Sequence, residues 1–222
     1  MIKVITIDRE YGSGGSAIAE KLAAQRGWAL WDQNLTCEIA RLAKCERSAV
    51  EQREERNDPL YYRLLKSFFR GGFEGSLTAQ PALDVLDSDT MAELMDRIVR
   101  KAATEGNCVI VGRGSAYFLQ SMPGVFHVFV YSTKQDKMRR LRKQGKSSAE
   151  ADHLIETVDR ERAAFIKRYH GKCWPDRYLF NLMVNASGGE DAAVEMIDEA
   201  VKTYEAHHSQ PAVLTESGTQ CA

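Results

Sequence analysis

The sequence predicts a three-layer α/β fold, a parallel sheet with helices on both faces, and two observations carry it. Apolar runs at 2–8 (IKVITID), 108–114 (CVIVGRG) and 125–131 (VFHVFVY) are β-branched and lack the polar alternation of a sheet with one wet face. Helical periodicities lie between them, and strands that alternate with helices assemble as parallel sheets with right-handed crossovers. With 222 residues, 44% hydrophobic and 27% charged, the chain has an ordinary globular composition for one domain with insertions.

After the first strand, residues 16–26 place Ile18, Ala19, Leu22 and Ala23 on one helical face, and Gly27 ends that helix. WALWD, 28–32, reads as a second strand that ends on Asp32, followed by a helix through Ile39, Ala40, Leu42 and Ala43. A Glu- and Arg-dense run at 46–58 reads as an exposed helix stopped by Asn57-Asp58-Pro59. Tyr61, Tyr62, Phe68, Phe69 and Phe73 then crowd a turn-rich segment, either a satellite core or an insertion over a cleft or a partner; exposed, these rings would suit a homodimer. Residues 88–105 form an amphipathic helix, and the strands at 108–114 and 125–131 belong at the centre of the sheet. From 134 to 177 thirteen Lys or Arg face seven Asp or Glu, which makes this the one strongly basic stretch. LMVNAS, 182–187, is a last strand before a helix at 190–205, and 207–222 reads as a flexible tail.

A formal charge of −1 excludes a broadly basic nucleic-acid or membrane-surface binder. Five cysteines without a C-x-x-C pair indicate neither a disulfide framework nor a zinc knuckle, and no run approaches the roughly 18 apolar residues of a membrane span. A cytoplasmic protein is expected. His127 alternates within an apolar strand and reads as a core residue, and no His or Cys cluster has metal-ligand spacing.

The chemistry concentrates at ITIDREYGSGGSAIAEKLA, 5–23, where a strand, a glycine bend and a helix N-terminus bring free backbone N–H groups and a positive dipole end to one point. Gly12, Ser13, Gly14, Gly15 and Ser16 form the candidate cradle for a nucleotide phosphate. Against G-x-x-x-x-G-K-S/T, Arg9 stands at the first glycine, Gly14 matches, Gly15 stands at the lysine and Ser16 at the hydroxyl. The same stretch satisfies G-x-G-x-x-A, with Asp32 twenty residues after Gly12, so an NAD(P)-dependent oxidoreductase is a second reading. A glycine bend that merely packs a helix on the sheet is a third.

ITIDREYGSGG together with VIVGRG, VDRERAAF and LMVNAS resembles the cytidylate kinase-like family, relatives of the bacterial CMP kinases, over most of residues 2–200. The resemblance implies a P-loop NTPase-like core within 1–206, a helical acceptor-binding insertion near 33–87 and a lid near 134–177. It also implies ATP as phosphoryl donor, Mg2+ carried with it and held by Ser16, and CMP, dCMP or a related small acceptor. Asp32, Arg41 and Arg113 align with acceptor-binding positions, Glu38 and Gly114 replacing an arginine and an aspartate of the relatives. Arg139, Arg140, Arg142, Arg160 and Arg162 align with lid residues, and Arg139, Arg142, Arg160 and Arg162, with Arg9, would supply the charge the loop lacks. A nucleotide-binding module without catalysis is the alternative, because a loop without lysine can hold a phosphate yet transfer it poorly.

Overall fold

The computed structural model describes residues 1–32 and 88–208. Among them five strands form one parallel sheet: β1 (Val4–Arg9), β2 (Ala29–Trp31), β3 (Cys108–Val111), β4 (Val125–Tyr131) and β5 (Leu182–Asn185), in the order β2-β3-β1-β4-β5. The helices are α1 (Gly15–Arg26), α2 (Ser88–Glu105), α3 (Ser115–Phe118), α4 (Lys134–Lys143), α5 (Ser148–His170) and α6 (Glu190–His208). The last helix runs three residues beyond the sequence expectation and takes in the start of the expected tail. The helix through Ile39, the charged run at 46–58, the aromatic segment with its dimer surface, Arg41 and the tail beyond 208 lie outside the described residues.

Strand β1 is central because it is apolar on both sides: all six of its residues are buried, and Ile7 pairs with Val111 of β3 and with Val128 of β4. Alternation then distributes its side chains between two layers. Ile5 and Ile7 pack with Ile18 and Leu22 of α1 and with Val194, Ile197 and Val201 of α6. Val4 packs on the other face with Met95, Ile98 and Val99 of α2 and Phe165 and Ile166 of α5. Each fully buried isoleucine contributes roughly 1.5–3 kcal/mol, so these two faces define the three layers.

The strand order decides what the β1 end can do. In the dinucleotide-binding order the second strand lies beside the first; here β3 separates β1 from β2. The oxidoreductase expectation loses its fold, and the neighbouring ends of β1 and β3 become the crevice in which open α/β sheets bind ligands.

Helices α4 and α5 pair across a short turn. Thr133 caps α4 by accepting from the Asp136 N–H, and Ser147 caps α5 by accepting from the Glu150 N–H, the S-x-x-E arrangement that fixes a helix start. Leu141 of α4 and Ala151, Leu154, Ile155 and Val158 of α5 bury a small core of their own, into which Tyr11 from the glycine loop inserts. No helix among the described residues is long and apolar enough to cross a membrane.

His127 is a core residue, as its alternation predicts: its Nδ1 lies 2.8 Å from Thr6 Oγ1 and burial pushes its pKa down to about 4. Between pH 4 and 6.5 the unfolded chain therefore binds a proton that the folded one refuses. The stability this neutral histidine contributes is complete above pH 6.5 and lost on acidification towards pH 4. Denaturant melts should show a fall on the order of 3 kcal/mol across that window, largely absent in His127→Gln.

Candidate phosphate-loop active site

Between β1 and α1 the chain turns through two left-handed glycines, Gly12 at φ 75° and Gly14 at φ 88°. Both positions are also short of space. A Cβ at Gly12 would stand 3.2 Å from Leu141 Cδ1, and one at Gly14 would stand 3.2 Å from Arg140 Nε, so α4 lies directly over the bend. Gly14 caps α1 without a side chain, so the dipole end of the helix faces the bend with no side-chain cap from that residue. Ser13 is buried and folds the turn inward by donating its hydroxyl to the Glu10 carbonyl at 2.8 Å. Ser16 is half-buried in the first turn of α1.

The bend is tied to α4 and α5 at three points. Glu10 pairs with Lys137, the Tyr11 N–H donates to Asp159 Oδ1 at 2.8 Å, and Arg162 Nη1 donates to the Arg9 carbonyl at 2.7 Å. Asp159 and Arg162 face the loop together because they are three residues apart on α5, with 3.1 Å between Oδ1 and Nη1. Burial raises the Asp159 carboxyl above its ordinary range, against the pull of Arg162 and Lys137.

At the crevice three guanidinium groups come together. Arg9 is 3% exposed, Arg113 1% and Arg162 2%. Burial pushes Arg113 down to about 9 and Arg162 down to about 10; Arg9 pushes both further the same way, and Arg162 does so for Arg113. Asp32 opposes this at the end of β2, with its Oδ1 4.0 Å from Arg113 Nη2. Asp8 is occupied beside them: it accepts from Trp174 Nε1 at 3.0 Å, and burial raises its carboxyl above the usual range. Gathering like charges in a dry crevice is costly unless an anion shares it. Arg162 Nη2, buried and without a partner among the described residues, has donor capacity left for one.

Residues 112–114 add strain to charge. Gly112 (φ 61°), Arg113 (φ 59°) and Gly114 (φ 68°) are three consecutive left-handed residues, and for an arginine that conformation costs on the order of 1–2 kcal/mol. Such strain persists where the surrounding structure holds a side chain to a task.

The sequence model of the cytidylate kinase-like family matches residues 4–188. This chain belongs to the cytidylate kinase-like family. Among solved structures, an uncharacterized protein from Eubacterium ventriosum is 21% identical, with a TM-score of 0.65 over 91% of this chain and 99% of its own. A gluconokinase from Sinorhizobium meliloti is 14% identical, with a TM-score of 0.52 over 93% of this chain and 95% of its own. At these identities the likeness is one of fold: the cytidylate kinase-like chain has the parallel sheet and helical layers of such kinases. No curated protein matches the sequence significantly.

Within this cytidylate kinase-like fold the expected site residues divide. Arg9, Arg113, Arg162, Asp32 and the loop 12–16 converge on the crevice, whereas Arg139, Arg142 and Arg160 are exposed, Arg139 pairing with Asp136 at 2.6 Å. Two residues on a helix are about 200° apart, so Arg160 and Arg162 cannot face the loop together. On α4 it is Arg140 that lies against Gly14, held by Ser132 Oγ at 3.2 Å and the Ala186 carbonyl at 2.8 Å. Sequence reasoning missed Asp8 and Trp174, and placed Arg140 only as one of several basic residues on the lid helix. The i,i+3 pair in DRER was the signal that points to Asp159; Trp174 had none, because its contact with Asp8 spans 166 residues. A groove of about 660 Å³ between Asp96, Arg100, Phe118 and His170 lies on the flank, apart from the arginine trio.

Proposed function

We propose that this protein transfers the γ-phosphoryl group of ATP to a small acceptor bearing an anionic group, with CMP or dCMP as the leading candidates. The observation that carries the reading is the trio of buried arginines between the glycine loop and the ends of β1 and β3. Phosphoryl transfer needs in-line positioning and positive charge around the transferring group more than it needs covalent chemistry. The loop N–H groups at 12–16 and Arg140 would hold the donor phosphates, Arg113 and Asp32 the acceptor, and Arg9 and Arg162 the group between them. An acceptor phosphate oxygen attacks the γ-phosphorus, the bond from phosphorus to the β,γ-bridging oxygen breaks, and ADP leaves with that electron pair. A phosphate acceptor is already ionised, so no side chain has to remove a proton. Mg2+ fits the donor set of one hydroxyl, Ser16, and nucleotide oxygens, since this ion keeps most of its waters; it supplies charge neutralisation on the phosphates.

Gly15 at the lysine position favours a second reading, a module that binds nucleotide without turning it over. Thermal melts with ATP, CMP, dCMP and other monophosphates, followed by a coupled ADP-release assay, separate the two. A ligand at 100 times its dissociation constant stabilises by about 2.7 kcal/mol. Stabilisation with acceptor-dependent ADP release supports the kinase, stabilisation without release supports the module, and a melt unmoved by ATP removes both.

A further inference from the structure

Gly15 and Gly112 belong to different elements, yet the same side chain fills the space in front of each. A Cβ at Gly15 would lie 2.6 Å from Arg9 Cβ and 2.8 Å from Arg9 Cγ, and one at Gly112 would collide with Arg9 Nη1. No side chain, alanine included, fits at position 15 while Arg9 keeps its place. Strand parity explains the path: Arg9 shares the β1 face of Ile5 and Ile7, which is the face α1 covers. It leaves β1 beneath the first residue of α1 and crosses towards the end of β3, where the Gly112 N–H is bonded to the Ile7 carbonyl at 2.9 Å. Its guanidinium thus ends between the glycine loop and Arg113, the place a transferring group passes on its way from donor to acceptor.

Resting on the kinase reading above, we infer that Arg9 supplies from the strand the positive charge that a loop lysine would supply from the helix. Gly15 is bare so that its side chain can reach there, and Gly112, whose left-handed backbone favours glycine in any case, leaves room for its far end. The absent lysine and the buried arginine are then one feature: either occupies the space, and the two exclude each other. An arginine in a dry slot stays charged and offers a planar fork to phosphate oxygens, which a lysine cannot do.

The test uses the full chain, with ATP affinity by calorimetry, turnover with the best acceptor, and far-UV circular dichroism with a thermal melt for each variant. Arg9→Met keeps an apolar stem in the slot and removes only the charge; turnover should fall about 100-fold with ATP affinity down at least tenfold. Gly15→Ala should weaken ATP binding about tenfold beside Arg9 and less than threefold in the Arg9→Gly background, where the colliding atoms are gone. Arg9→Gly/Gly15→Lys should recover at least tenfold of the turnover lost in Arg9→Gly. A folded Arg9→Met that matches the unaltered protein in affinity and turnover overturns the inference and leaves the kinase reading standing, as do additive effects at positions 9 and 15. If the unaltered protein binds ATP but phosphorylates no acceptor, the kinase reading falls and the affinity series alone decides the role of Arg9. A protein that binds no ATP sinks both.

Discussion

Replacing Arg162 with Met is expected to lower unfolding free energy by about 3–5 kcal/mol and to cut turnover about 100-fold, the largest combined loss for a single change in this site. The stability loss follows from what the guanidinium leaves behind. Asp159 Oδ1 would keep its bond from the Tyr11 N–H, but its strongest counter-charge would be gone and Lys137, at 3.9 Å, would face it alone. The Arg9 carbonyl would lose its donor at the point where β1 hands over to the glycine loop. At the 2–4 °C per kcal/mol typical of a chain this long, the melt should drop by about 10 °C.

The pH dependence identifies the stranded charge as the cause. A carboxyl whose folded-state pKa is raised binds its proton more readily folded than unfolded, so its penalty is present at neutral pH and relieved on acidification. Asp159 is already raised, and without Arg162 it must rise further. Arg162→Met should therefore regain part of its deficit as pH falls from 7 towards 5, and Asp159→Asn in the same background should recover much of it at pH 7. A deficit that is flat with pH and unchanged by Asp159→Asn would place the effect in lost packing.

Much of this fold was legible because its signals are local. The β-branched runs at 4–9, 108–111 and 125–131 are buried on both faces and needed no partner to be recognised. Strand order was not legible: nothing in WALWD says that β3 will stand between it and β1. The site followed the same rule. Gly12 and Gly14 are demanded by a local backbone angle, but Gly15 is demanded by a side chain that packs across it from β1 and whose far end reaches Gly112, over a hundred residues away. The basic stretch from 134 to 177 was visible as composition, while the choice of Arg140 and Arg162 over Arg139 and Arg160 depended on helix phase relative to a loop that only the tertiary fold places.

Arg113→Met should behave oppositely to Arg162→Met, and the contrast tests whether the trio is built for a ligand. Arg113 is fully buried, held left-handed between two left-handed glycines, pushed down to about 9 by burial, and opposed only in part by Asp32. Methionine inherits the same backbone strain and a similar volume, so the substitution isolates the charge. Removing it relieves desolvation and the repulsion from Arg9 and Arg162, and gives up its contacts, the 4.0 Å one with Asp32 among them. The expected melt is unchanged or a few degrees higher, whereas kcat/KM for the anionic acceptor should fall about 100-fold. Stabilisation by the acceptor should fall with it, because a crevice with one guanidinium fewer gains less from a bound anion. A variant that loses more than about 2 kcal/mol of stability and keeps kcat/KM within threefold would make Arg113 a structural partner of Asp32. A gain in stability bought with lost acceptor affinity would mean that the free protein holds this arginine at a cost, which only the anion recovers.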